Sequence, residues 1–270
     1  MQIQILASGS SGNATIVRDG ETVVLLDAGI SMRRIRLGLE SMGLVYEDVD
    51  AIVLTHEHSD HVSGLKMIRK YYNHIPILAS AGTGDAIGLS TCARAVRAGE
   101  TFEVGSLTFH PYTVSHDARE PLGYRFESSG GMIAGWATDL GEWSEEVAEH
   151  LEGCDMVMIE ANHDIKMLAR GPYPAFLKRR VASRMGHLSN VQARALLERV
   201  ASPRLSVVAL GHLSGSNNTA EVAQTTVGEA LRGASIHLAG APRKEASRLI
   251  ELPGDYPAYV PDPPLQAELF

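Results

Sequence analysis

The alternation of apolar and polar positions divides the chain into a strand-rich first part and a second part in which strands and helices alternate. Short apolar runs predict strands, and the pair Asp19-Gly20 predicts a tight hairpin between the second and third of them. The predicted strands cover 3–7, 14–18, 22–27, 50–54, 77–79, 101–104, 107–114, 123–127, 132–137, 156–160, 206–210 and 236–239. Predicted helices cover 32–42, 61–71, 82–88, 143–151, 164–184, 190–201 and 220–231.

This order of elements favours an α/β fold with two sheets face to face and helices outside, rather than a doubly wound sheet. Loops at the strand ends would then gather along one edge of the sheets. The length allows one large core or two small domains, and we predict a single domain over residues 1–250. Residues 251–270 contain five prolines, four acids and no base, which predicts an irregular extension.

The composition is that of an ordinary globular protein, with a formal net charge of −8 that excludes a globally basic nucleic-acid binder. No apolar run approaches the ~18 residues that span a bilayer, and the first residues lack a signal-peptide pattern. The two cysteines, Cys92 and Cys154, have no metal-like spacing. We therefore expect buried, inert thiols and a cytoplasmic location.

Positive charge is concentrated in one segment of this acidic chain. No Asp or Glu occurs from Ile165 to Leu197, whereas seven basic residues do. Such a segment predicts either a locally positive face or a solvated surface without a ligand. The basic residues are Lys166, Arg170, Lys178, Arg179, Arg180, Arg184 and Arg194.

A loop between a predicted strand and a predicted helix contains three histidines and an aspartate within six positions. These residues are His56, His58, Asp60 and His61. Alternate side chains of such a loop can converge on one point, and neutral imidazole and carboxylate are favoured ligands of zinc, manganese and iron. The sequence therefore predicts a metal site in this loop.

Four candidate ligands are too many for one small ion, because a tetrahedral site takes three protein ligands and a water. Two ions would resolve this, with His56 and His58 on one ion and Asp60 and His61 on the other. Each ion then needs further ligands from later loops. Three candidates directly follow predicted strands: His116, Asp139 and His212.

The pattern His-x-His-x-Asp-His, followed by a later His, an Asp and a final His, resembles the metallo-β-lactamase-fold hydrolases. The resemblance implies a four-layer αββα sandwich of two facing mixed β-sheets flanked by helices. It implies that His116 completes the site of His56 and His58, and that His212 completes the site of Asp60 and His61. Asp139 would bridge the two ions, and Asp27 would orient a metal-bound histidine without touching the metal.

Four further segments resemble the YycJ/WalJ branch of this family, which is similar to the phosphodiesterase members. The segments are 9–13, 115–118, 160–164 and 186–190. In those phosphodiesterases a Glu at a strand end pairs with a His in Gly-His-Ser, and Glu160 and His187 occupy these positions. Leu188 departs from the pattern, because the tRNA 3′-processing enzymes carry Ser there.

The implied chemistry is phosphodiester hydrolysis with two divalent ions, Mn²⁺ or Zn²⁺, or else iron. Two such ions would lower the pKa of a bridging water, and the resulting hydroxide would attack phosphorus. His187, oriented by Glu160, would protonate the leaving group, and Asp60 counts as a catalytic residue as well as a ligand. The branch implies a 5′→3′ exodeoxyribonuclease linked to DNA repair, with DNA rather than RNA as its partner and no membrane.

Two alternative functions stay open at this point. The metals could act on a small phosphodiester or on an ester, thioester or lactone. A non-hydrolytic di-iron protein or silent regulator is the other alternative, although His58 stands where di-iron relatives carry Glu and no ligand is lost. Two roles also stay open: that of His163, and that of the loop from Ser8 to Asn13, which could meet a phosphate or be a plain turn.

Overall fold

The strands form two seven-stranded sheets that pack face to face in the computed structural model, which describes residues 1–89 and 93–259. The first sheet contains β1 (Gln2–Ala7), β2 (Ala14–Asp19), β3 (Thr22–Leu26), β4 (Ala51–Val53), β5 (Ile77–Ala79) and β6 (Ala93–Ala95). The second contains β7 (Phe102–Val104), β8 (Leu107–Thr113), β9 (Leu122–Ser128), β10 (Ile133–Ala137), β11 (Met156–Glu160), β12 (Val207–Gly211) and β13 (His237–Gly240). The last strand, β14 (Ile250–Glu251), joins the edge of the first sheet.

Both sheets are antiparallel on one side and parallel on the other. The strand orders are β14-β1-β2-β3-β4-β5-β6 and β13-β12-β11-β10-β9-β8-β7. Parallel pairing begins at β3 in the first sheet and at β10 in the second. Parallel strands end at the same edge, so the loops that follow them meet there. The predicted sandwich of two facing mixed sheets is confirmed.

The core between the sheets follows from strands that are apolar on both faces. In β3, Val24 and Leu26 face the second sheet, whereas Val23 and Leu25 belong to the cluster beneath the outer helices. The strand β12 alternates in the same way between the central core and the opposite outer layer. This period of two explains why the sequence shows short continuous apolar runs at these strands.

Helices form the outer layers. In chain order they are α1 (Met32–Ser41), α2 (Ser59–Val62), α3 (Leu65–Tyr71), α4 (Ala81–Ala86), α5 (Glu145–Leu151), α6 (Ile165–Arg170), α7 (Ala175–Val181), α8 (Asn190–Val200) and α9 (Ala220–Gly228). Buried residues of α1 and α3 pack on the first sheet, and those of α5, α8 and α9 pack on the second. Single-turn 3₁₀ helices lie at Tyr46–Asp48 and Glu229–Leu231.

Two predicted helices are divided in the structure. The stretch 61–71 breaks between α2 and α3 because the Gly64 N–H donates to the Ala28 carbonyl (2.8 Å), so this turn packs against the loop after β3. The stretch 164–184 breaks between α6 and α7, where Pro172 and Pro174 interrupt helical hydrogen bonding. The short strands β6 and β14 were not predicted, since neither carries an apolar run long enough to indicate a strand.

The described part of the C-terminal extension begins on the first sheet and ends beside the second, where the Tyr259 N–H donates to the Ile236 carbonyl at 2.7 Å. Ile250 and Glu251 pair with β1, and Leu252 is buried in the core between the sheets. Residues 260–270 and Cys92 lie outside the described residues, so the division at residue 250 and the burial of Cys92 stay predictions. Cys154 is a buried free thiol, and burial raises its pKa to about 12. No helix within 1–89 and 93–259 is long and apolar enough to cross a bilayer.

At Gly29 the loop after β3 lies so close to the segment after β4 that no side chain fits between them. A Cβ at Gly29 would lie 1.6 Å from the Asp60 carbonyl oxygen and 2.8 Å from the Asn13 backbone nitrogen. Because backbone must then move, Gly29→Ala is expected to lower the free energy of unfolding by about 2 kcal/mol or more, measured by denaturant unfolding. Gly130→Ala is the control, since its Cβ would meet only Ser128 Oγ at 3.7 Å. Equal losses in the two variants would contradict this account.

Candidate metal centre

The seven predicted metal ligands lie together at the edge of the sandwich. The His-rich loop follows β4, His116 follows β8, Asp139 follows β10 and His212 follows β12. Their ligand atoms form overlapping groups in which all atoms lie within 4.8 Å of one another. Among these groups are His56 with His58 and His116, Asp60 with His61 and His212, and Asp139 with His56 and His61.

Three residues at this edge have left-handed backbone conformations. Asp27, Asp139 and His212 have φ values of 59°, 58° and 53°, and they are the non-glycine residues with positive φ in the described part of the chain. Asp27 and His212 directly follow β3 and β12, and Asp139 lies two residues after β10. Such a conformation costs about 1–3 kcal/mol, so it persists where the surroundings hold it and tends to occur at functional sites.

In four of the five histidines of the predicted ligand set, Nδ1 contacts a residue outside that set. His61 Nδ1 lies 2.8 Å from Asp27 Oδ2, and His116 Nδ1 lies 3.0 Å from the Gly186 carbonyl oxygen. His56 Nδ1 contacts Thr55 Oγ1 at 3.0 Å, and His212 Nδ1 contacts Glu160 Oε1 at 3.2 Å. Anchoring one ring nitrogen fixes the ring and leaves Nε2 for a metal, the usual arrangement around a metal-bound imidazole.

His58 differs from the other four because its side chain is 30% exposed. Its Nδ1 lies 3.2 Å from His116 Nε2, so these two rings meet through different nitrogens. The neighbouring Asp117 carboxylate lies 3.5 Å from His116 Nε2 and 3.9 Å from His58 Nε2, and it accepts a hydrogen bond from Arg180. Sequence reasoning gave Asp117 no role, although it belongs to the segment 115–118 that carried the family resemblance.

Asn13 is a second site residue whose role sequence reasoning left open. Its Nδ2 lies 2.9 Å from His61 Nε2 and 3.3 Å from Asp60 Oδ2. Asn13 Oδ1 accepts the Gly9 N–H at 2.8 Å, which folds the loop after β1 against the predicted metal ligands. The loop is therefore part of the site rather than a remote turn, and the Gly-Asn pair in segment 9–13 was the available signal.

The donor set fits divalent ions on evidence internal to the protein. His56 Nε2 and Asp139 Oδ2 are buried, and neither makes a hydrogen bond. The Asp139 oxygen lies 3.2 Å from His61 Nε2, and the other Asp139 oxygen lies 3.4 Å from His212 Nε2. Buried polar atoms without partners are rare in folded proteins and call for an explanation such as an ion. Both atoms are among the predicted ligands, so a metal would satisfy them.

Two histidines of the first group, His56 and His116, have lowered pKa values that favour the neutral form. Burial, followed by the nearby His61 imidazole, holds the pKa of His56 well below its ordinary value. Burial likewise lowers the pKa of His116. Neutral imidazole is the form that binds metal, so these two residues need not release a proton on binding.

The histidines of the second group are held in their protonated form by carboxylates. Burial lowers the pKa of His61, but Asp27 and Asp139 outweigh burial and raise it to about 10. Burial also opposes the protonation of His212, yet Asp139 and hydrogen bonds with Asp60 and Glu160 raise its pKa well above the ordinary value. Positive charge is therefore required beside Asp139, and either protons or metal ions can supply it.

The predicted pair of Glu160 and His187 lies directly beside the ligands. Glu160 is fully buried, and its Oε1 lies 2.7 Å from His187 Nδ1 and 3.2 Å from His212 Nδ1. Its Oε2 accepts the Leu140 N–H at 2.8 Å. Burial raises the pKa of Glu160, but His187 and the two imidazole hydrogen bonds outweigh it and hold the pKa below its ordinary value. Both oxygens thus accept hydrogen bonds within the protein.

The basic segment 165–197 is less positive on the surface than its sequence indicates. Arg180 pairs with Asp117 (2.6 Å), Arg184 pairs with Glu142 (2.7 Å), and Arg194 pairs with two glutamates. Acids from other parts of the chain therefore neutralise three of the seven bases. His163 is one of the residues that line a groove beside α6 and α7, and its buried Nδ1 has no hydrogen-bond partner.

Comparison with known proteins identifies the family. A family model described as a beta-lactamase superfamily domain matches residues 22–209. The chain is 36% identical over 231 residues to "Exodeoxyribonuclease WalJ" of Streptococcus pneumoniae serotype 2 (strain D39 / NCTC 7466), a match that covers 83% of this chain and 85% of that protein. The chain belongs to the metallo-β-lactamase superfamily, in the WalJ/YycJ branch.

Two further similarities agree with this membership. "Exodeoxyribonuclease YycJ" of Bacillus anthracis is 33% identical over 237 residues, covering 86% of this chain and 89% of that protein. The metallo-β-lactamase fold protein YhfI of Bacillus subtilis superposes with a TM-score of 0.70 at 15% identity, covering 91% and 98% of the two chains. The latter similarity concerns the fold alone. The family resemblance inferred from the motifs is confirmed.

Metal binding is expected to release protons from the second histidine group. At neutral pH the metal-free His61 and His212 are protonated, because their pKa values are raised, and ligands must lose their protons to bind metal. Affinity should therefore fall as pH falls, by up to about tenfold per pH unit for each proton released. Calorimetry in buffers of different ionisation heat measures the proton count.

Asp27→Asn is the informative comparison for this experiment. It removes the charge that raises the pKa of His61, so fewer protons should be released on metal binding than in the wild type. A wild-type metal affinity that does not change between pH 6 and pH 8 would contradict the proton release.

Proposed function

We propose that this protein is a metal-dependent phosphodiesterase, and specifically a 5′→3′ exodeoxyribonuclease that uses two divalent ions. The observation that carries the proposal is the hydrogen-bonded pair of Glu160 and His187, which lies beside a His/Asp cluster suited to divalent metals. The similarity to proteins named exodeoxyribonucleases over most of the chain supports DNA as the substrate.

Two sets of residues would hold the ions. His56, His58 and His116 would bind one, Asp60, His61 and His212 would bind the other, and Asp139 would lie between them. Asp27 would keep the His61 ring in place through Nδ1. When bound, the ions would supply an activated water and neutralise the charge that develops on the phosphoryl oxygens.

His187 would supply the proton that the leaving alkoxide needs. Its Nδ1 is engaged by Glu160, which fixes the ring and directs Nε2 away from the carboxylate. The His187 side chain is 17% exposed, so a bound substrate can reach it, whereas Glu160 is sealed from water. The Leu140 N–H holds the second Glu160 oxygen and keeps the carboxylate aimed at the histidine. This is the geometry of an oriented general acid.

The proposal has three finer parts: the location, the link to DNA repair and the identity of the metal. The free thiol of Cys154 is compatible with a reducing compartment such as the cytoplasm. The link to DNA repair and the choice between manganese, zinc and iron stay predictions, because N/O ligand sets accept all three metals.

The activity itself is tested by release of mononucleotides from duplex DNA with 5′ ends. When supplied with Mn²⁺ or Zn²⁺, the protein is expected to release mononucleotides from the 5′ end. Chelation of the metal should abolish the release. Turnover of a small chromogenic phosphodiester that DNA does not inhibit, with no release from DNA, would instead favour a small-molecule phosphodiesterase.

Two substitutions separate metal binding from proton donation. His61→Ala is expected to lose bound metal together with activity, because His61 is a proposed ligand. His187→Ala is expected to keep its metal and lose about 10²–10⁴-fold in DNA hydrolysis, the usual contribution of a general acid. Metal analysis of both purified variants provides the first readout, and loss of metal from His187→Ala would contradict the division.

The leaving group provides a sharper test of His187. A p-nitrophenolate leaves without a proton, so His187→Ala should slow a p-nitrophenyl phosphodiester far less than it slows DNA. His74→Ala, which changes an exposed histidine away from the cluster, is the matched control and should leave both rates unchanged. Equal losses on the two substrates in His187→Ala would assign His187 to a role other than proton donation.

A further inference from the structure

An arginine follows the next parallel strand beyond the metal-binding strands. The parallel strands β10, β11 and β12 place Asp139, Glu160 and His212 at or just beyond their carboxyl ends, and β13 is the next strand of the same sheet. The chain leaves β13 at Gly240 and reaches Arg243 three residues later. By this topology Arg243 lies at the same edge of the sandwich as the metal ligands.

Ser8 fixes Arg243 relative to the metal centre. The Ser8 N–H donates to the carbonyl of Pro242 at 2.8 Å, and Ser8 Oγ accepts the N–H of His212 at 2.9 Å. One buried serine thus joins the residue before Arg243 to a proposed metal ligand. The backbone at Arg243 is therefore held beside the site and does not belong to a remote surface.

Two glycines make room for the Arg243 side chain. A Cβ on Gly215 would lie 2.0 Å from Arg243 Nη1, and a Cβ on Gly9 would lie 3.5 Å from Arg243 Nε. The guanidinium thus lies against the loop after β12 and the loop after β1, both of which contact the metal ligands. Any side chain at Gly215 would occupy the place of the guanidinium.

The charge of Arg243 has no partner among the residues that the structure describes. Its Nε is buried and makes no hydrogen bond, and no carboxylate forms an ion pair with it, including Glu245 on the same segment. This differs from Arg180, Arg184 and Arg194, each of which is paired with an acid. An arginine beside a metal centre without a counter-ion is poised for an anion from outside the chain.

The cavity at Arg243 has the donors that phosphate requires. It has a volume of about 530 Å³, and Ser11, Lys244 and Glu245 line it together with Arg243. Within the described residues the backbone N–H group of Ser11 donates to no protein acceptor. A planar guanidinium, an ammonium group and a free backbone N–H group together match the oxygens of a phosphate.

We propose that Arg243, with Lys244 and the tip of the loop 9–13, binds a phosphate group of the nucleic-acid substrate next to the metal centre. The inference rests on the phosphodiesterase function proposed above. The phosphate has two sources in a DNA end, the terminal 5′ monoester and an internal diester. Both offer the same oxygens to the guanidinium, and the experiment below distinguishes them.

The primary test is the binding of a phosphorothioate-linked single-stranded oligonucleotide to the metal-loaded enzyme. Arg243→Gln is expected to weaken binding at least about tenfold, the range for a lost charged hydrogen bond, and to reduce the salt dependence by about one phosphate contact. The ratio of kcat/KM for DNA to that for a small chromogenic phosphodiester should fall by a similar factor. Arg248→Gln, an exposed arginine on the same segment, is the matched control and should change neither.

Gly215→Ala tests the position of the charge without removing it. The new methyl group would displace the guanidinium, which is the end of a flexible side chain and can move without disturbing the fold. The variant should show normal metal content and weakened oligonucleotide binding, like Arg243→Gln. Normal oligonucleotide binding in both variants would overturn the proposal, and so would loss of metal from Arg243→Gln, because Arg243 would then act on the metal site.

The source of the phosphate follows from comparing 5′-phosphorylated with 5′-hydroxyl oligonucleotides. If the wild type prefers the phosphorylated end and Arg243→Gln loses that preference, the site binds the terminal monoester. If Arg243→Gln weakens the binding of both oligonucleotides equally, the site binds an internal diester. A wild type that neither binds nor cleaves DNA would refute the proposed function. If the wild type cleaves DNA and Arg243→Gln cleaves it equally well, only this inference is refuted.

Discussion

The carboxylate of Asp139 is the group on which the arrangement of the site depends. It is 2% exposed, lies 3.2 Å from His61 and 3.4 Å from His212, and leaves one oxygen without a hydrogen bond. Burial raises its pKa, but His212 and His61 outweigh burial and hold it well below the ordinary value. A buried negative charge is costly unless positive charge surrounds it. The protein surrounds Asp139 with imidazoles, and divalent ions would complete the compensation.

The fold determines which side chains can meet at this charge. Parallel strands of both sheets end at one edge, so residues far apart in sequence are delivered to one place. Left-handed backbone at Asp27, Asp139 and His212 then turns each side chain into the site as the chain leaves its strand. Close contacts between loops, such as Gly29 against the Asp60 carbonyl, leave no room for a side chain at that position. Stability and function therefore depend on the same loop packing.

Charge near the site is distributed differently from the way the linear sequence indicates. The segment 165–197 contains no acid, yet Asp117 and Glu142 reach two of its arginines from other loops. Among the described residues, Arg243 also forms no ion pair, and it lies in a segment to which sequence reasoning gave no role. Surface electrostatics is a property of the folded molecule, because ion pairs form between residues that are distant along the chain.

The sequence by itself determined the elements and the chemistry. Apolar periodicity located most strands to within a residue or two, and the His-rich loop with the later His, Asp and His indicated metal ligation and the family. Periodicity could not reveal the break at Gly64 or the short edge strands, because contacts with other segments decide both. Only the tertiary structure decided the anchoring partner of each histidine, the part played by Asn13 and Asp117, and the unpaired state of Arg243. These features depend on distances between loops, and no local pattern of residues encodes such distances.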